Sequence, residues 1–230
     1  MRILTSFSPS RIEHQQWCVQ TWLKAGCSVT AVQTAGESDV MKPHFPNVEF
    51  TETNLVGDVF GKPYLPRIAA FFQLVKDEPA LLLNSDIEIV VSQKRFEQDY
   101  LFREKTLVCG VRWDMHPRTK VTKPIRFGID AFLLTPEIAE NTPDVGMTIG
   151  VPVWDYWLPY HCVTRLGMKL ITNKSQGLRH VVHPQNWSMD EMPKGFAITQ
   201  EHYGVGMKEM TEWIIRQTGR TRLKHPVWKL

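Results

Sequence analysis

Residues 81–90 read LLLNSDIEIV. Together with Ala80 the three leucines form an apolar run without alternation, which predicts a strand covered on both faces, as in a parallel sheet under helices. The run stops at a polar knot, Asn84-Ser85-Asp86, and apolar character resumes around Glu88. Asn, Ser and Asp close turns by bonding their own backbone, so one reading of the knot is purely structural. The other is chemical. In an extended segment residues i and i+2 point to the same side, and Asp86 and Glu88 would then face one hard cation at the strand's end.

The surrounding pattern supplies the rest of a sheet. Residues 2–7 read as a first strand, broken by SPSR. Residues 13–25 carry Trp17, Val19, Trp22 and Leu23 at helical spacing, with Gly26 as a stop. Residues 28–33 are strand-like again, so the chain opens strand, helix, strand, the start of an α/β domain. A short strand is expected at 48–51 and an apolar helix at 65–75, started by Pro66. After the strand at 80–83 follow a helix at 96–102, strands at 107–112 and 128–135, helices at 136–140 and 154–166, a strand at 170–172 and a helix at 202–217. No repeat or linker interrupts residues 1–230, which predicts one domain with a mostly parallel sheet flanked by helices.

Bulk composition excludes several classes. A hydrophobic fraction of 43% and a charged fraction of 22% are those of an ordinary globular protein. The net charge of +3 does not call for nucleic acid or an acidic membrane by itself. Basic residues do gather in 118–126 (RTKVTKPIR) and in 216–229, the latter without any acid. The four cysteines form no CxxC pair and read as free thiols. With no signal-peptide pattern and no membrane-length apolar run, the expected location is cytoplasmic.

In open α/β sheets ligands bind beyond the carboxyl ends of the strands. Those ends carry Thr5-Ser6 followed by Arg11, then Asn84-Ser85-Asp86-Ile87-Glu88, then Asp130 in GIDAF, and His180 and His183 in LRHVVHPQNWS. One mouth would gather carboxylates, histidine and hydroxyls.

This order of features, from Arg2 to about Trp187, resembles the GT-A class of nucleotide-sugar glycosyltransferases. The resemblance implies a GT-A-like, Rossmann-like fold and a Mn²⁺ or Mg²⁺ cofactor. The class's Asp-x-Asp pattern falls on Asp86-Ile87-Glu88, with Glu in place of the second Asp. Its late histidine ligand falls on His183, while His180 reads as a half-buried histidine. Thr5 and Ser6 would hold base and ribose, with Asn84 and Ser85 beside them. Asp130 would hold sugar hydroxyls, and Asp155 in VPVWDYW would be the base of an inverting reaction. Arg11, Lys62 and Arg67 would add fixed positive charge. Trp154, Tyr156 and Trp157 would stack on sugar faces.

The chemistry is consistent: a departing nucleoside diphosphate needs its growing charge neutralised, and the attacking hydroxyl needs a base. The resulting expectation is transfer from a nucleotide sugar, a UDP-sugar first, to an acceptor hydroxyl. Saccharide or small-molecule acceptors rank ahead of DNA bearing hydroxylated bases. Two rivals remain. A nucleotidyltransferase would carry a glycine-rich loop after the first strand, where this chain has SFSPSR. A non-catalytic sugar- or nucleic-acid-binding module would show no metal or nucleotide affinity.

Overall fold

Short apolar runs without alternation demand cover on both faces, and the helices of this chain supply it. The computed structural model describes residues 1–173, 175–184 and 188–217, the side chains of residues 123–127 excepted. The basic stretch beyond Gln217, the side chains of Lys123 and Arg126, and Trp187 therefore lie outside the described residues. The strands are β1 (Arg2–Thr5), β2 (Ser28–Gln33), β3 (Glu49–Glu52), β4 (Val56–Gly57), β5 (Lys62–Pro66), β6 (Ala80–Leu83), β7 (Ile87–Ile89), β8 (Thr106–Met115), β9 (Thr122–Leu134), β10 (Lys169–Asn173) and β11 (Leu178–Val181). The helices are α1 (Ile12–Lys24), α2 (Ala35–Met41), α3 (Ile68–Phe72), α4 (Gln93–Asp99), α5 (Pro136–Asn141), α6 (Trp154–Thr164), α7 (Glu191–Tyr203) and α8 (Met207–Gln217).

The main sheet has the order β3-β2-β1-β6-β9-β8-β11-β7, with β10 also paired to β8. All its strands run the same way except β9 and β7. This is the mostly parallel, Rossmann-like α/β architecture that the sequence predicts. β6, buried at all four positions, lies between β1 and β9. One face of the sheet packs Trp22 of α1 and Phe96 of α4; the other packs Ile68 and Phe71 of α3, Ile138 of α5 and Trp157 of α6. All four cysteines are buried and free. No helix among the described residues is long and apolar enough to cross a membrane.

A bend in β8 brings the two halves of the site together. β8 pairs with β10 along Thr106–Gly110 and with β11 along Trp113–Met115. Between these stretches its register with β9 shifts twice, from Gly110 to Trp113. Bulges of this kind bend a strand and increase its twist. Beyond the bend, β11 pairs antiparallel with β7, and the indole Nε1 of Trp22 donates to the Ile87 carbonyl at 2.7 Å, fastening β7 to α1.

Several elements differ from the sequence reading, each for a local reason. β1 ends at Thr5 rather than residue 7, because the Gln33 amide accepts from Phe7 N–H (2.7 Å) and donates to the Phe7 carbonyl (3.0 Å), replacing ladder bonds. The helix expected at 65–75 shrinks to α3. Its first residues instead belong to β5, and Arg67 and Ile68 give their N–H groups to the carbonyls of Leu55 and Met147. The strands at 107–112 and 128–135 extend to β8 and β9, a long hairpin that absorbs most of the basic loop. The helix expected at 202–217 starts only at Met207, as α8, and α7 before it was not expected. Gly204, at φ 68°, ends α7 in the left-handed conformation that glycine adopts without penalty.

Gly110 marks the bend. A Cβ there would lie 1.9 Å from the Tyr100 hydroxyl and 2.6 Å from Leu178. Gly110→Ala is expected to cost about 1–3 kcal/mol in urea denaturation, the usual scale of overpacking. Adding Tyr100→Phe, which removes the colliding oxygen, should recover part of that loss. If the two losses simply add, crowding by the Tyr100 hydroxyl is not the cause.

Candidate active site

The carboxyl ends of β1, β6 and β8, with β11 folded over them, frame a cleft of about 1140 Å³. The structure places Asp86 in a turn, not a strand: the Ile87 N–H bonds the Asn84 carbonyl at 3.2 Å. That removes the alternation argument linking Asp86 to Glu88. Glu88 lies on β7, 3% exposed, and its carboxylate accepts from Arg179 on β11, with Nε at 2.8 Å. The structure thus separates Asp86 from Glu88 and joins Asp86 to two histidines instead.

Asp86 Oδ2 lies 3.0 Å from His183 Nε2 and 3.5 Å from His180 Nε2, and the two Nε2 atoms are 3.0 Å apart. The other ring nitrogens are committed. His180 Nδ1 donates to Asp114 Oδ1 at 2.9 Å, and His183 Nδ1 to the Pro184 carbonyl at 2.6 Å. Both partners only accept, so in the neutral tautomers both Nε2 lone pairs face the Asp86 oxygen. Three electron-rich atoms at such separations need a proton or a cation among them. Ligands about 2.1 Å from one ion lie about 3.0 Å apart at right angles and about 3.4 Å apart at tetrahedral angles. The observed triangle fits that range. An imidazole held through its second nitrogen by a carboxylate or carbonyl is also the usual support of a metal ligand. The residues present therefore fit a divalent cation.

Without a cation, protons take its place. Burial would lower the His180 pKa, but bonds to Asp114 and Asp86 outweigh it and raise it to about 9. Burial would raise Asp86, but the same histidines, with the charges of His180 and Arg112, hold it well below the usual carboxylate range.

Arg112, at the bend of β8, ties this cluster to the next. Its Nε donates to Asp114 Oδ1 at 3.0 Å and its NH1 to Asp130 Oδ1 at 3.1 Å. Asn84 Nδ2 also donates to Asp130 Oδ1 at 2.7 Å, while Asp130 Oδ2 is buried with no partner among the described residues. Asp155 opens α6 on the same cleft. Burial first, then the neighbouring Asp130 charge, pushes its carboxyl up to about 8. Two strained residues adjoin these groups. Val153, just before α6, has φ 86°, and Arg11, just before α1, has φ 54°. Such conformations cost energy in non-glycine residues and cluster at functional sites.

The other expected residues divide. Ser6, Arg11, Lys62, Asn84 and Ser85 line the cleft. Ser6 donates to Gln33 at 2.7 Å, Arg11 stands 3.8 Å from Asp86, and Lys62 pairs with Glu191 at 2.9 Å. Thr5 is buried beneath the cleft and does not line it. Arg67 is turned away, giving Nε to the Val56 carbonyl and NH1 to Asp144. Trp157 is buried in the core and does not line the cleft; Trp154, also buried and edge-on to Phe132, reaches the cleft with Tyr156. Sequence reading passed over Arg112, Asp114, Gln15 and Gln33. The signal for the first pair was present: Arg112 and Asp114 are spaced i, i+2 after an apolar strand. Gln15 holds the loop after β1 through the Ser8 N–H and the Ser8 and Ser10 carbonyls.

No protein-family model and no curated protein matches the chain. Solved structures show partial likeness. The chain is similar to the inositol-1-phosphate CTP transferase from T. maritima at 11% identity and TM-score 0.43, covering 90% of this chain and 97% of that one. It is similar to the 4-diphosphocytidyl-2C-methyl-D-erythritol synthase from Anaerococcus prevotii at 8% identity and TM-score 0.42, covering 83% and 93%. Mouse xyloside xylosyltransferase 1 shows 14% identity and TM-score 0.38, covering 62% and 68%. At these scores the functional reading rests on the site itself.

Mn²⁺ should raise the thermal midpoint of the protein; at a hundredfold excess over the dissociation constant the gain is about 2.7 kcal/mol. That gain should vanish in Asp86→Ala and His183→Ala and persist in Glu88→Gln. Equal losses in all three variants would show that the cation does not sit on the Asp86–His180–His183 triangle.

Asp155 gives a second expectation, for stability. Its folded pKa of about 8 lies above the unfolded value, so the folded protein holds this proton more tightly. The stabilisation is complete below about pH 4 and lost as pH rises through 8. Asp155→Asn has no such loss. Its melting temperature relative to the parent should climb between pH 4 and 8 and then level. A constant difference across that range would show an ordinary carboxyl.

Proposed function

We propose that the cleft is the active site of a divalent-metal-dependent glycosyltransferase that moves a sugar from a nucleotide sugar to an acceptor hydroxyl. A UDP-sugar is the first donor to test, and residues 1–230 would act as one cytoplasmic domain. The observation that supports this most is the Asp86–His180–His183 triangle, with both imidazoles held in the metal-binding tautomer by Asp114 and Pro184.

Each residue has a role on this reading. Asp86, His180 and His183 would hold the cation, and two imidazoles beside one carboxylate suit Mn²⁺ better than Mg²⁺. A cation there supplies positive charge to the departing diphosphate. Arg11, on the same wall, adds charge toward it. The unpartnered Asp130 Oδ2 accepts a hydroxyl of the bound sugar, which answers the cost of leaving it buried and unbonded. Asp155 takes the proton from the acceptor hydroxyl. A base works best with a pKa near the operating pH, and burial tunes this carboxyl to about 8. Attack assisted by a base on the acceptor inverts the sugar centre.

The experiment is a nucleotide-sugar screen scored by nucleotide release in Mn²⁺, with and without EDTA. Transfer should stop in EDTA and in Asp86→Ala. Asp155→Asn should keep donor affinity and lose ~10²-fold or more in kcat. In the parent the rate should rise with pH up to about 8, because the deprotonated form is the active one. That limb should be absent in the variant. Full turnover in EDTA overturns the reading, and pyrophosphate formed from a nucleoside triphosphate and a sugar phosphate would replace it with nucleotidyl transfer.

A further inference from the structure

The cleft has two walls of opposite chemistry. Asp86, Arg112, Asp114 and the histidines make one. The other is built from β5, residues 149–154, α7 and α8, and it is one continuous surface. Ile149 N–H bonds the Pro66 carbonyl at 3.2 Å, which sets it beside β5. Gly195 of α7 lies so close to Val153 that a Cβ there would fall 2.8 Å from it. Helix α8 packs on α6. These contacts bring Leu65, Ile149, Met192 and Phe196 to the cleft as the edge of a hydrophobic cluster. At the mouth, Tyr64 and Met207 remain 47% and 37% exposed.

We infer that this wall receives the acceptor, and that the acceptor is a hydroxyl carried on an apolar carbon skeleton. The inference rests on the transferase reading, because Asp155 locates the acceptor hydroxyl. Asp155 begins α6 between Trp154 and Tyr156, within this wall. A saccharide needs a hydrogen-bonding partner for most of its hydroxyls, since each one desolvated without a partner is costly. Here such side chains are Lys62 on β5, paired with Glu191, and Lys208, Thr211 and Glu212 on α8, while the rest of β5, residues 149–154 and α7 offer chiefly apolar surface to the cleft. With Trp154 and Trp157 buried, the flat open rings that favour sugar faces are also reduced. Thioether side chains such as Met192 and Met207 adapt to irregular apolar ligands. The same surroundings desolvate Asp155, in keeping with a base that meets its substrate away from bulk water.

The test uses 1-butanol to 1-octanol as probes, with glucose and cellobiose as controls, by calorimetry on the full chain in Mn²⁺ and UDP. Affinity should tighten about fourfold per added methylene until the wall is covered, and the sugars should give no heat. Met192→Glu and Met207→Glu should each weaken octanol binding at least tenfold while Mn²⁺–UDP binding is unchanged; circular dichroism confirms that both fold. Affinity independent of chain length, or preference for cellobiose, overturns the inference. Graded alkanol binding without any Mn²⁺–UDP binding supports the apolar site and removes the transferase reading, so the two failures are distinct.

Discussion

Asp86, Asp114, Asp130 and Asp155 converge at one end of the sheet, and the guanidinium of Arg112 is the cation between them. Like charges gathered in a partly buried cleft repel strongly unless paired. Arg112 binds Asp114 and Asp130 directly, and its charge lowers Asp86 and counters part of the upward shift of Asp155. Asp114 in turn fixes the His180 ring. One planar side chain therefore joins the Asp86–His180–His183 triangle to Asp130 and Asp155. The fixed fork of a guanidinium suits two such bonds better than the point charge of a lysine.

That arrangement depends on the bend in β8. Arg112 and Asp114 lie beyond Gly110, on the stretch that pairs with β11 rather than β10. Past the bend β11 also pairs with β7, which sets His180 opposite Ile87 and so beside Asp86. The bend is also where packing is least forgiving, since Tyr100 occupies the space a side chain at Gly110 would need. The strain at Arg11 and Val153 is distributed similarly: each starts a helix that frames the cleft, Val153 buried and Arg11 exposed.

The division of the cleft follows from the fold. Strand ends and the turns after them expose backbone and short polar side chains, so that wall is polar. The opposite wall is the margin of the hydrophobic layer beneath α6 and α7, so it is apolar. Asp155 sits at the border, and its raised pKa is the electrostatic consequence of that position.

The resemblance to a known class put Asp155 forward; local pattern in the sequence was enough for the α/β class, the central strand at residues 80–83, the order of most of the main elements and the candidacy of Asp86, Asp130 and His183. Each of these depends on composition within a few residues, which periodicity and turn chemistry report. The partners of those residues were decided only in three dimensions. The turn at Asn84–Asp86 broke the alternation that had paired Asp86 with Glu88, and a strand 91 residues away claimed Glu88 through Arg179. His180 became a neighbour of Asp86 because β11 pairs with β7 and sets it opposite Ile87. Arg67 and Trp157 left the site because backbone pairing and core packing, not their own chemistry, set where they point. Spacing along a chain limits which side chains share a face; the path of the backbone between distant segments decides which faces meet.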